Sequence, residues 1–191
     1  MTVSRSLAAV LGISLVAGSN MGCMSRAISE GLGVVTGASG KVVNIQQPQQ
    51  LQKYRGFKVE SITVTPGLKT PPNIASLVRE EFTKVGADKK LTSDGKPCLQ
   101  VSGEITNYET ADAVDTAIGP LEECILRAKL MDAETQQLLA VANLVSRAKS
   151  TSAGGEKHLS EGIGKALSKW LKAGGIKTEE EEKEDQKEKS K

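Results

Sequence analysis

Cys23 is the residue whose position in this chain most suggests chemistry. It lies in the stretch SNMGCMS, directly after an apolar run over residues 7–18 in which Ser14 is the one polar residue. A cysteine at such a place can be a core side chain, half of a disulfide, or the sulfur nucleophile that accepts a lipid. The residues that precede it decide between these roles.

Residues 1–22 have the layout of a secretory signal peptide. Arg5 is followed by the apolar run LAAVLGISLVAG and then by small or neutral residues, which is the order that signal peptides use. A helix of this length spans about 18 Å, well short of the roughly 30 Å hydrocarbon core of a bilayer. We therefore predict a signal peptide and no permanent membrane span.

Two processing sites stay open at the end of this segment. Ala17 and Ser19 have the small-x-small form that ordinary signal peptidase accepts, and cleavage there would release a soluble protein. Gly22 and Cys23 look like the end of a bacterial lipobox, in which the thiol takes a diacylglycerol and becomes the new N-terminus. We predict lipidation of Cys23, with acyl chains such as palmitate, and keep plain secretion as the alternative.

The other residue types that carry chemistry are few and separated. His158 is the only histidine, which excludes histidine metal clusters and paired-histidine mechanisms by count. Glu122 and Glu123 are adjacent in a predicted strand, where neighbouring side chains point to opposite faces. We therefore predict no catalytic residue, no metal, no cofactor and no enzymatic activity.

Cys98 and Cys124 fall in two predicted strands that follow one another. An antiparallel pairing would place Cys98 opposite Leu130 and Cys124 opposite Glu104. The thiols would then be about six residues apart, or roughly 20 Å at 3.3 Å per residue, whereas a disulfide needs Cα atoms within about 7 Å. We expect no disulfide between them.

The glycine-containing stretch VVTGASGK does not complete a phosphate-binding motif. A P-loop would require a glycine at Val35 and a hydroxyl side chain at Val42. Several glycines over residues 31–40 disfavour a long helix, and the Gln-rich stretch that follows has the composition of a linker. We predict that residues 23–53 form the lipid-anchored N-terminus and a flexible linker.

Hydrophobic periodicity predicts regular structure over residues 54–175. Alternation indicates four strands and helical stripes indicate two helices, in the order 56–65 (strand), 70–87 (helix), 97–109, 121–133 and 137–149 (strands) and 156–175 (helix). Apolar residues change parity after Val59, which predicts a β-bulge in the first strand. The order β-α-β-β-β-α predicts an α+β domain, a mostly antiparallel sheet with two helices on one face.

The first strand and the strand over 137–149 are the expected edges of this sheet. An edge offers unpaired N–H and C=O groups to an incoming strand. Asn143, Ser146 and Arg147 would keep the second edge polar enough to remain soluble. Arg127 and Lys129 on the neighbouring strand would hold an acidic partner.

Composition limits the possible partners. The formal net charge is +2 and aromatic residues make up 3 % of the chain, so neither charge nor stacking favours nucleic acid. Residues 176–191 are dominated by glutamate and lysine. We predict a charged, disordered tail there.

Two stretches, LQVSGEITNYE and LRAKLMDAETQQLLAVANLVSRAKS, resemble a family of small bacterial envelope lipoproteins with a domain of unknown function. The shared pattern is Leu99-x-Val101-x-Gly103-x-Ile105, then Asp132-Ala133-x-Thr135, then Leu139-Ala140. The domain is similar to the N-terminal α/β domain of TolB and to the lipoprotein activators of penicillin-binding proteins. This resemblance implies an envelope binding or assembly role and supplies no catalytic residues.

These observations predict a non-enzymatic envelope lipoprotein that docks another envelope protein. Lipid on Cys23 would hold it to a membrane, most readily the outer membrane, with the domain in the periplasm. The alternative is a secreted soluble carrier that holds a small apolar ligand between the sheet and the helices.

Overall fold

Five strands and two helices make up the described part of the chain, which is residues 38–110, 122–148 and 155–178 of a computed structural model. In chain order they are β1 (Ala38–Gln46), a 3-10 turn (Leu51–Lys53), β2 (Gly56–Val64), α1 (Ile74–Asp88), β3 (Cys98–Glu109), β4 (Glu123–Asp132), β5 (Leu138–Ala148) and α2 (Glu156–Ala173). The predicted α+β class is confirmed. The observed order has one strand more at its start than the predicted β-α-β-β-β-α.

The strands form one sheet in the order β1-β5-β4-β3-β2. Every neighbouring pair is antiparallel except β2 and β3, which are parallel. Parallel neighbours need a crossover connection, and α1 supplies it. The prediction of a mostly antiparallel sheet is confirmed.

Both helices pack on the same face of the sheet and against each other. Their apolar stripes are the predicted ones, and the residues with the largest buried side chains on the two helices are Ile74, Phe82, Leu159, Ile163 and Trp170. The strands meet them with Leu99, Ile105, Leu126, Leu130 and Leu144, all at 0 % exposure. The core therefore lies between the sheet and the helices.

β1 is the difference between prediction and structure. Residues 38–46 belong to the predicted flexible linker, but they pair with β5 from Ala38 opposite Ala148 to Gln46 opposite Val141. As a consequence β5 lies inside the sheet, and the prediction that residues 137–149 form an edge was wrong. β1 was not predicted because α2 packs on its first half. Alanine and glycine stand there in place of the alternating large hydrophobic residues that indicate a strand.

The strand registers refine two further predictions. The bulge in β2 is confirmed, since the pairing with β3 shifts between Val59 and Ser61. The simple antiparallel register for β3 and β4 was wrong, because Cys124 lies opposite Tyr108 and a bulge follows Ile105. Cys98 and Cys124 are both free and buried, so the expected absence of a disulfide between them holds.

Candidate functional site

The outer sides of β1 and β2 are the two edges of the described sheet. An edge strand can add a strand from another chain through main-chain hydrogen bonds. The two edges differ in how many of their backbone groups other parts of the chain already occupy.

The outer side of β2 is closed over its first part. Thr92 exchanges two backbone hydrogen bonds of 3.0 Å with residues at the start of the strand. Further along, the guanidinium group of Arg79 on α1 donates to the carbonyl oxygens of Val59 and Glu60, each at 3.0 Å. A strand that approached this part of β2 would first have to displace both partners.

The first half of β1 is closed in a similar way by α2. The ammonium group of Lys165 donates to Ala38 O at 3.2 Å, and that of Lys169 donates to Gly40 O at 2.8 Å. Within an antiparallel strand, the N–H and C=O of one residue point to the same side. Residues 38 and 40 therefore direct their backbone groups away from β5, toward the lysines.

Two glycines allow α2 to lie close enough for these contacts. A Cβ on Gly40 would be 2.3 Å from Gly162 O and 2.6 Å from Ala166 N, and a Cβ on Gly162 would be 2.0 Å from Ser146 Oγ. Such distances exclude any side chain at either position without movement of the helix. Gly40, which belongs to the stretch that failed the P-loop test, thus has a packing role.

Among the described residues, no strand pairs with the outer side of the second half of β1, residues 42–46. By the same alternation, Val42 and Asn44 direct their N–H and C=O groups outward. The described strands end with β1 on this side of the sheet. A short stretch of edge is therefore available for pairing.

Exposed apolar side chains occur on this stretch and at the start of the neighbouring strand β5. Val43, Ile45 and Leu138 are 44 %, 57 % and 42 % exposed, and they are the large hydrophobic side chains that the described residues leave exposed. We call these three residues the apolar corner. The register shift between Asn44 and Gln46 marks a bulge at Ile45, and the Gln46 side chain donates to Leu139 O at 3.2 Å.

The residues predicted for docking are distributed differently. Arg127 and Lys129 are exposed on the helix-free face, as their strand parity predicted. Arg127 Nε donates to Asn143 Oδ1 at 3.3 Å, so this pair bridges two interior strands. None of the three lies at an edge.

The remaining two polar residues of the predicted edge are structural. Ser146 is fully buried beneath α2. Arg147 forms an ion pair with Glu123 on the neighbouring strand. The sequence analysis missed the apolar corner because the stretch KVVNI was assigned to a linker, although its β-branched residues are a strand signal.

Asp132 is a described carboxylate whose pKa is shifted, and its hydrogen bonds stabilise the fold. Asp132 Oδ1 accepts the backbone N–H groups of Glu134 and Thr135 at 2.9 Å, and Oδ2 accepts the Tyr54 hydroxyl at 2.8 Å. The N–H of Thr135 and the Tyr54 hydroxyl lower the pKa of Asp132 to about 2. This carboxylate ties the β4–β5 turn to the segment that precedes β2.

The other ionisable groups that the sequence singled out are Cys98, Cys124 and His158. Burial raises the pKa of Cys124 to about 12, and burial also raises the pKa of Cys98, so both thiols are protonated at neutral pH. His158 lies in the first turn of α2 with its Nδ1 3.4 Å from Glu161 Oε2. Among the described residues, no group of three or more His, Cys, Asp or Glu side chains is placed to hold a metal ion.

Cys23 and the predicted signal peptide, residues 1–22, lie outside the described residues. Lipidation of Cys23 and envelope localisation therefore stay predictions. None of the helices in the described ranges is long and apolar enough to cross a membrane.

Comparison with known proteins bears on the fold. No protein-family model and no curated protein matches the sequence. A solved PelC dodecamer from Paraburkholderia phytofirmans aligns with 68 % of this chain and 95 % of its own, at 14 % identity and a TM-score of 0.51. The fold is similar to that of PelC. Protein XCC0632 from Xanthomonas campestris, of family DUF330, aligns with 74 % of this chain and 91 % of its own, at 13 % identity and a TM-score of 0.39.

Proposed function

We propose that this chain is a non-enzymatic bacterial envelope lipoprotein that docks another protein on the outer side of β1. The observation that carries the proposal is the coincidence of two features at residues 42–46. No described strand pairs with the edge there, and Val43, Ile45 and Leu138 of the apolar corner are exposed on it or on the neighbouring strand. Elsewhere along β1 and the first part of β2, side chains or backbone groups already occupy the edge.

The chemistry of this surface defines the partner. Outward N–H and C=O groups at Val42 and Asn44 would pair with an extended segment, which gives affinity through main-chain hydrogen bonds. The apolar corner would select alternate apolar side chains on that segment. The expected partner is therefore a β-strand with an apolar face.

A second copy of this chain is the first partner to test. The similar fold of PelC belongs to a protein that was solved as a dodecamer. In an antiparallel pairing of two β1 strands centred on Asn44, Val43 of one copy would lie opposite Ile45 of the other. Lys41 would then lie opposite Gln47, so that no two like charges would face each other.

The anchor is proposed to be lipid on Cys23, with the domain in the periplasm at the outer membrane. Each buried CH₂ group contributes about 0.8 kcal/mol, and two or more acyl chains are enough for stable anchoring. Mass spectrometry of the mature N-terminus tests this. Diacylglycerol on Cys23 would support the anchor, and an unmodified chain that begins at Asn20 would exclude it.

The docking edge is tested with Val43→Lys combined with Ile45→Lys. Both side chains are already exposed, so we expect a change in unfolding free energy within about 0.5 kcal/mol. We expect recovery of the crosslinked partner from membranes, or of the self-associated species by light scattering, to fall at least about tenfold, or about 1.4 kcal/mol.

The matched control places lysine on the other edge, at Thr63 of β2, which is exposed. Thr63→Lys should leave recovery unchanged. Undiminished recovery from a folded Val43→Lys, Ile45→Lys chain would rule out this edge as the docking surface.

The alternative, a secreted carrier of a small apolar ligand, has a weaker basis. Between the sheet and the helices the described side chains are closely packed, with Phe82, Trp170 and Leu126 at 0 % exposure. An apolar groove of about 400 Å³ does lie between β2 and α1, where Phe57 and Leu91 contribute to its lining. A rise in melting temperature with a fatty acid, but none with a partner protein, would favour the carrier.

A further inference from the structure

Lys41 is the charged residue of β1. It is exposed, and its cross-strand neighbour Val145 belongs to the helix-free face, since Leu144 before it is buried in the core. Val43, two residues along β1, shares this face and is 44 % exposed. β1 therefore presents an ammonium group and an apolar side chain in succession, where the covered half of its outer side ends.

None of the described neighbours of Lys41 in the sheet is acidic. Val145 lies directly opposite on β5, and the diagonal neighbours there are Asn143 and Arg147. Arg147 is itself a cation, and Glu123 forms an ion pair with it. Lys41 takes part in none of the ion pairs that the described residues form. A counter-charge for Lys41 would therefore have to come from a strand on the outer side of β1.

The cations that the sequence suggested for an acidic partner lie too far from this edge. Arg127 and Lys129 are on β4, and β5 separates that strand from β1. Neighbouring strands are about 4.8 Å apart, so a strand docked on β1 would lie about 14 Å from β4, beyond the length of either side chain. Lys41 would instead be a direct neighbour of the docked strand.

The hydrogen-bond alternation of β1 brings the side chain of Lys41 close to such a strand. Lys41 and Val43 direct their backbone groups toward β5, whereas Val42 directs its own outward. In an antiparallel pairing, the residues opposite Lys41 and Val43 would thus form non-hydrogen-bonded pairs, in which Cα atoms are about 4.5 Å apart and side chains are closest. Opposite charges in such a pair are stabilising, and like charges are destabilising.

We propose that Lys41 selects a partner strand of another protein that carries an acidic residue opposite Lys41 and an apolar residue opposite Val43. The inference rests on the proposed docking edge and defines its partner. A one-residue slip would move the acidic side chain to the other face of the sheet, so the ion pair also fixes the register. In the self-pairing centred on Asn44, Lys41 lies opposite Gln47 and has no counter-charge, which makes a second copy the poorer match.

Binding of short peptides to the full chain, measured by fluorescence anisotropy, tests this selection. The probes contain Val-Ser-Val-Ser-Glu or the reverse order Glu-Ser-Val-Ser-Val, so that both strand directions are covered. In one of the two orders we expect the glutamate peptide to bind about fivefold more tightly than its lysine counterpart, with a difference that high salt reduces. The Lys41→Glu chain should reverse this preference, and a preference that stays the same in that chain would overturn the proposal.

Recovery of the crosslinked partner from membranes provides a second measurement, which needs no peptide. We expect Lys41→Glu to lower recovery about tenfold and Lys41→Gln to lower it less, since reversal adds repulsion to the loss of attraction. Lys58→Glu is the matched control, because Lys58 is exposed on the helix-free face of the other edge strand, and it should leave recovery unchanged. Circular dichroism verifies that each variant is folded.

The outcomes separate this selection from the docking edge itself. Loss of recovery in the Val43→Lys, Ile45→Lys chain, with unchanged recovery in a folded Lys41→Glu chain, would overturn the role of Lys41 and keep the edge. Unchanged recovery in both chains would reject the edge as well. Self-association by light scattering that Lys41→Glu leaves unchanged would assign the edge to a second copy and would also overturn the selection of an acidic strand.

Discussion

β1 and β2 lie at opposite edges of one sheet, and helical side chains protect both, together with backbone from Thr92 on β2. On β2, backbone from Thr92 and the Arg79 guanidinium cover the strand up to its bulge. On β1, Lys165 and Lys169 of α2 cover only the first half of the strand. The helix axis therefore determines how much edge remains, since side chains that project from α2 reach only the residues it crosses.

The candidate interface lies where an uncovered part of an edge and exposed apolar side chains coincide. Natural proteins usually guard their edges, because an open edge promotes aggregation. An edge that is guarded on one half, with exposed apolar residues on the other half, is the arrangement expected of a binding surface. Substitutions at the two edges should therefore differ in their effect on stability and on association.

Gly40→Val should produce the largest loss. Its side chain would overlap the backbone of α2 at Gly162, so the helix must move away from β1, at a cost of about 3 kcal/mol or more. Urea unfolding monitored by circular dichroism measures this. Ser39→Val on the adjacent, exposed position is the control and should change the unfolding free energy by no more than about 0.5 kcal/mol; an equal loss in both would contradict the close helix packing.

Proline substitutions distinguish an interior strand of the sheet from an edge strand. Val145 lies in β5 between Lys41 of β1 and Ile125 of β4, and proline there removes a ladder hydrogen bond and strains the strand, for a loss of about 3 kcal/mol. Val42→Pro, whose N–H points outward, should cost less than about 1 kcal/mol. Urea unfolding of both variants is the measurement, and similar losses would mean that Val42 is bonded to β5.

Tyr54→Phe tests the tie between the segment before β2 and the β4–β5 turn. Loss of the buried hydrogen bond to Asp132 should lower the unfolding free energy by about 1–2 kcal/mol. Because the pKa of Asp132 is depressed to about 2, its contribution is complete above about pH 4 and is lost as the pH falls toward that value.

The Phe variant should raise the pKa of Asp132, so acid unfolding should begin at a higher pH than in the parent chain. Unfolding experiments between pH 2 and 7 (about the range in which a carboxylate titrates) show this shift. An unchanged acid transition would mean that the backbone N–H groups alone stabilise the carboxylate. Thr135→Ala, which retains its backbone N–H but loses a side chain that also lowers the pKa of Asp132, should shift the acid transition less than Tyr54→Phe does.

Arg79→Ala should have the smallest effect on stability. Its two hydrogen bonds are at the surface, so we expect a loss of about 0.5–1 kcal/mol. The more informative outcome is new association through β2, measured by light scattering against Lys58→Ala as control. Absence of new association would show that Thr92 alone guards this edge.

Much of the fold was predictable because its signals are local. The stripes of α1 and α2 and the alternation of β3, β4 and β5 follow from the periodicities of helix and strand. The bulge after Val59 followed from a parity change in the sequence. The α+β fold class, and the packing of both helices on one face of the sheet, therefore follow from the sequence alone.

The candidate site was not predictable in the same way. β1 contains Gly40 because α2 crosses it closely, and a glycine chosen for helix packing looks like a linker residue when it is considered alone. Its burial depends on Gly162, which is more than a hundred residues later in the chain. Strand pairing over such a separation leaves no local signal, so the place of β5 inside the sheet was missed as well.

Local sequence patterns establish the segments of regular structure other than β1, and the count of histidines excludes a histidine cluster. Which strands are edges, and which part of an edge no described strand covers, depends on the packing of distant segments. Periodicity is a property of neighbouring residues, whereas an edge arises only when segments far apart in the chain pack together.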